Sequence, residues 1–98
     1  VRDLELHYQN ILFIVYKLLG FYVQAEYHTS NGRIDMVLKT DRYIYVMEFK
    51  FDGSAEEALK QIEEKGYAAP FANDSRQLIK AGVNFSSKTR NIDCWVVD

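Results

Sequence analysis

The chain has 98 residues, 48% hydrophobic and 27% charged, with a formal net charge of -2. That is enough for one hydrophobic core, excludes a disordered chain, and leaves no global basic charge to advertise a polyanion partner. The lone Cys94 forms no intramolecular disulfide, and the longest apolar stretch, from Ile11 to Leu19, is broken by Lys17 and too short to span a bilayer. The expectation is a soluble, cytoplasmic domain covering residues 1–98; because residue 1 is Val and not Met, it is read as a fragment of a longer protein.

Residues 3–19 carry apolar groups at Leu4, Tyr8, Ile11, Leu12, Val15, Leu18 and Leu19, a helical spacing closed by Gly20, with Asp3 as the expected N-cap. Phe21 to Thr29 is aromatic-rich and alternating, which predicts a strand. Asn31-Gly32 is a strong hairpin signal and leads into a second strand, "RIDMVLK". A tight turn at Asp41 and Arg42 then leads into a third, "YIYVMEFK". Ser54 with Glu57 fits a capping box, and Ala55, Ala58, Leu59 and Ile62 form the apolar stripe of a second helix ending at Gly66. The segment around Pro70 reads as an irregular connection, followed by two strands in "RQLIKAGVNFS" and "RNIDCWVVD". The predicted order is helix, three-strand antiparallel meander, helix, two strands, an α/β (α+β) chain.

Asp35, Glu48 and Lys50 are charges inside otherwise apolar strands. With Asp41 and Arg42 as the turn, paired residue numbers sum to 83, so Asp35 lies opposite Glu48 and Lys50 shares their face. With Asn31 and Gly32 as the first turn, His28 falls opposite Asp35 and Glu26 is next along. Facing carboxylates repel and pay for desolvation, and a divalent cation held by their oxygens relieves both costs. A lysine one pleat away can orient water or neutralise phosphate charge. The alternative is a turn-capping Asp35 and a Glu48 paired with Lys50 or Arg33 on a wet surface. Two acids within strands of Ile, Val and Met favour the metal site.

Asp35 followed by Glu48-Phe49-Lys50 resembles the D…ExK signature of the PD-(D/E)XK nuclease superfamily, and the element order is similar to its restriction-endonuclease-like core. "GRID", "YVMEFKFDGSAEEALKQIEEKGYAAPF" and "AGVNFS" together look like a bacterial subfamily in which the domain commonly follows an AAA-type ATPase domain. The resemblance implies Mg2+ or Mn2+ held by Asp35, Glu48 and the carbonyl of Phe49, with Lys50 positioning the attacking water. Gln61 matches a glutamine that many members direct at the site, against the plainer reading of an exposed helix residue. Glu5 and Glu26 compete for a supporting acid role. Arg33, Lys39 and Arg42 flank the site as a solvated hairpin rim or as phosphate contacts. Tyr67, Phe71, Cys94 and Trp95 are read as packing residues. Two functions follow as expectations: metal-dependent hydrolysis of DNA, or a catalytically silent module for nucleic-acid or protein interaction attached to an ATPase. A homodimer is a further expectation, since so short a domain has few insertions with which to grip DNA.

Overall fold

The sequence lays down α1 (Arg2–Leu18), β1 (Tyr22–Thr29), β2 (Gly32–Lys39), β3 (Tyr43–Phe51), α2 (Ala55–Lys65), β4 (Gln77–Phe85) and β5 (Ile92–Val97). The computed structural model describes residues 2–30, 32–88 and 92–97, with the side chains of residues 2–5 and 93–97 outside that description. The segment around Pro70 is a single 3-10 turn, Ala69–Phe71. The strands form one sheet in the order β1-β2-β3-β4-β5. All neighbours are antiparallel except β3 and β4, which run parallel because α2 carries the chain back across one face.

Each face of the sheet supports one helix. Tyr8, Leu12, Phe13 and Tyr16 of α1 pack on Val23, Met36, Leu38, Met47, Phe49 and Phe85, with the Tyr8 and Phe85 rings stacked at 4.4 Å. On the other face Ile62 of α2 joins Ile34, Val37, Ile44, Val46, Tyr67 and Phe71. Local signals set the ends of α2: the Ser54 hydroxyl accepts from the Glu57 amide at 3.0 Å, and Gly66 closes the helix at φ 63°.

Three expectations are corrected. Asp3 lies inside α1, which already begins at Arg2. Of the apolar positions that predict α1, Tyr8 and Leu12 pack on the sheet, whereas Ile11, Val15, Leu18 and Leu19 are exposed. The helix has two apolar faces, and the aromatic one, with the larger area to bury, docks on the sheet. The first hairpin is two residues out of the expected register: Thr29 pairs with Gly32 and His28 with Arg33, so His28 does not face Asp35. Gly32 is used for close approach and not as a turn residue. Its φ is +141°, and a Cβ there would stand 3.0 Å from the Tyr67 hydroxyl oxygen. The second hairpin has the expected register, with Met36 opposite Met47 and Lys39 opposite Ile44 around Asp41 and Arg42.

One irregularity shapes the site. Glu26 has φ +54° in the middle of β1, and facing alternation fails there in both strands of the hairpin. Val23 and Met36 face α1, whereas Tyr27 and Ile34, which strict alternation would put beside them, face α2. Asp35 sits at this switch.

Candidate functional site

The β2–β3 ladder stops at Met36 and Met47, and Asp35 and Glu48 occupy the next rung. There the strands exchange side chain for backbone. The Asp35 amide donates to Glu48 Oε1 at 3.0 Å, and the Phe49 amide donates to Asp35 Oδ2 at 2.9 Å. The two carboxylates thus satisfy amides that the sheet leaves without ladder partners, which fixes both acids on rigid strands.

Both are buried, Asp35 at 7% exposure and Glu48 at 2%. Burial first, and the adjacent Asp35 carboxylate second, push Glu48 up to about 9, against weaker opposing pulls from the Asp35 amide hydrogen bond and then from Lys50. Without a cation beside it, Glu48 therefore holds its proton more tightly than an ordinary glutamate.

Gln61, on the second turn of α2, bridges the remaining groups. Its Nε2 donates to Glu48 Oε2 at 3.1 Å, and its Oε1 accepts from Lys50 Nζ at 3.0 Å. One amide therefore spaces the lysine and the glutamate and orients both.

Two residues of "AGVNFS", neither of which the sequence assigns a role, make this possible. Gly82 of β4 pairs with Glu48, and a Cβ there would overlap the Ala55 carbonyl oxygen and stand 2.7 Å from the Leu59 amide nitrogen. Only glycine lets α2 come so close to the sheet beside Glu48. A glycine inside a strand pattern was the available signal. Asn84 pairs with Lys50, is buried, and its Oδ1 accepts from the Gly53 amide at 3.0 Å, which pins the β3–α2 connection. Its only sequence signal is its place in "AGVNFS".

The structure thus brings Asp35, Glu48, Phe49, Lys50 and Gln61 together. Glu26 stands across β1 from Asp35, with its carboxylate 3.6 Å from the Arg33 guanidinium. Lys39 and Arg42 go to the far end of the β2–β3 hairpin; Lys39 is four strand residues from Asp35, about 13 Å. The Lys39 ammonium lies 5.5 Å from the Tyr22 ring and 5.9 Å from the Phe71 ring. The side chains of Glu5, Cys94 and Trp95 lie outside the described residues, as does Asn31. Tyr67 and Phe71 are buried in the α2-side core, as expected.

The sequence profile of the PD-(D/E)XK nuclease superfamily matches residues 3–95. The chain belongs to that superfamily. Its sheet and two helices are consistent with the restriction-endonuclease-like fold that the superfamily shares. A protein of Azotobacter chroococcum mcd 1, described as an uncharacterized protein in the vnfD 5′ region, is 33% identical over 96 residues. That alignment takes in 96% of this chain and 19% of the relative, so the chain spans about a fifth of the relative's length.

Proposed function

We propose that this PD-(D/E)XK domain is a phosphodiesterase that hydrolyses DNA with Mg2+ or Mn2+. The observation that carries the reading is the hydrogen-bonded set Asp35–Glu48–Gln61–Lys50, in which two buried acids share one rung. Superfamily nucleases generally use divalent metals, and the donors present suit one. Among the described residues no group of three His, Cys, Asp or Glu gathers. Two carboxylates and the Phe49 carbonyl would therefore hold the ion and leave positions for water and phosphate, the pattern Mg2+ favours over an all-protein cage. When bound, the ion supplies Lewis-acid polarisation of the phosphate and a more acidic water.

The protein's own contributions follow from the geometry. Glu48 must give up its proton before both its oxygens serve as ligands. Asp35, fixed by the Phe49 amide, holds its position without rearrangement. Lys50 keeps its ammonium at the edge of the carboxylate pair because Gln61 accepts one of its hydrogens, leaving two donors for the attacking water or a phosphate oxygen. The bland account of an isolated surface ion pair does not suit acids this deeply buried.

A catalytically silent interaction module is the second reading, favoured by the net charge of -2. In either case the domain is read as part of a longer protein, which the greater length of the relative supports; a bacterial, cytoplasmic protein with an AAA-type ATPase domain is what the family resemblance suggests for it. Purified protein incubated with Mg2+ or Mn2+ and single-stranded, duplex or branched DNA tests the function. Metal-stimulated cleavage absent from Lys50→Ala supports the enzyme, and cleavage no better than that variant on every substrate supports the module.

A further inference from the structure

α1 is apolar on two sides. Tyr8, Leu12, Phe13 and Tyr16 reach the sheet, while Ile11, Ile14, Val15 and Leu18 stand away from it. The outward row repeats at i, i+3, i+4 and i+7, the spacing of a helix face that has a partner. A helix that is apolar around most of its circumference is ordinarily buried on both sides. Leu18 is 82% exposed, and Leu19 and Phe21 continue the patch past the helix end.

The area and the pattern suit a second copy of this chain. These six side chains expose on the order of 650 Å2, the low end of the share one partner gives to a specific interface. Lys17 is the only charge between residues 10 and 22, and its ammonium is drawn aside, 5.8 Å from the Phe13 ring. Charge depletion at the centre is the compositional mark of an interface core. The row is also symmetric in sequence: Ile11 and Leu18 lie equal steps to either side of the Ile14–Val15 midpoint. Two copies laid antiparallel therefore match apolar positions to apolar positions, as a two-fold interface requires.

We infer that two copies of this chain pair through the outer face of α1, about a two-fold axis near Ile14 and Val15, with Leu18 of each copy seated on Ile11 of the other. Lys50 and Gln61 lie on the opposite side of the sheet, with α2, so pairing leaves both carboxylate sites open. The inference stands apart from the catalytic reading, and its test needs no activity.

Sedimentation equilibrium of the 98-residue chain from low micromolar to submillimolar concentration is the experiment. The expected result is twice the 11.4 kDa chain mass. Leu18→Glu, which touches no core residue, should raise the dimer dissociation constant about 100-fold or more, with an unchanged circular dichroism spectrum and thermal midpoint. Val15→Cys should form a disulfide-linked dimer on oxidation, with the unsubstituted chain and its Cys94 as control. A monomer at submillimolar concentration, or a dimer that survives Leu18→Glu, overturns the inference.

Discussion

Replacing Glu48 with Gln keeps the shape of the side chain and removes the one buried group whose ionisation folding opposes most strongly. In the metal-free protein Glu48 is held at about 9, against an ordinary value of 4.5. Between those values the folded chain keeps a proton that the unfolded chain has released. The unfolded state thus binds fewer protons, and stability falls as pH rises. Each pH unit in that window costs at most about 1.4 kcal/mol, so the ceiling between pH 5 and pH 8 is about 4 kcal/mol. Relaxation of the pair lowers the expected loss to about 2 kcal/mol, which is a fall of about 10 °C in midpoint for a domain of this size. Asp52 and Asp74 are both held below their ordinary value of 3.8, chiefly by hydrogen bonds from Ser87 and Arg76 respectively, so their windows lie at more acidic pH and do not contribute here. Glu48→Gln has no proton to lose. It sets its own amide against the Gln61 amide, a penalty of about 1 kcal/mol that does not vary with pH. Urea unfolding of both proteins in EDTA at unit pH steps gives the comparison, with all other titrating groups cancelling in the difference. Parallel pH dependences for the two proteins would refute the account of Glu48.

Further substitutions probe the frame and the bridge. Gly82→Ala pushes a methyl group into the Ala55 carbonyl and the Leu59 amide, and should destabilise the fold by about 2–4 kcal/mol in chemical denaturation while displacing α2 and Gln61. Glu26→Gly removes a left-handed glutamate and gives up an ion pair that is largely solvated, so the protein should gain about 1 kcal/mol. A loss would mean that the Glu26 carboxylate contributes more than its backbone costs. Gln61→Ala frees Lys50 and Glu48 from their common partner; metal affinity by calorimetry should fall about 10- to 100-fold, and any cleavage should fall with it.

The core of the site was legible because it depends on one turn. Asp41 and Arg42 set a register whose period of two puts Asp35 beside Glu48 and Lys50 on their face, and the structure keeps that register. The first hairpin departs from the expected register because Gly32 is not a turn residue but serves the approach of a tyrosine 35 residues away in sequence. The apolar positions that predict α1 divide between two faces, with only Tyr8 and Leu12 of them docked on the sheet. Periodicity reveals an apolar stripe, but with two stripes on one helix only the shape of the sheet decides which of them docks. The role of Gly82 lay further out of reach, since it follows from the parallel pairing of β3 with β4 and the depth at which α2 rests on them. The Gln61 bridge depends on that same depth.

The central claim is that a divalent cation belongs at Asp35 and Glu48. Calorimetric titration of Mg2+ into the metal-free protein at pH 7.5, repeated in two buffers of different ionisation enthalpy, measures binding and proton release together. The account predicts one site that releases about one proton, because Glu48 must ionise to bind, with no binding in Asp35→Ala and binding without proton release, much weakened, in Glu48→Gln. Absence of binding at millimolar Mg2+, or binding that releases no proton, would contradict it.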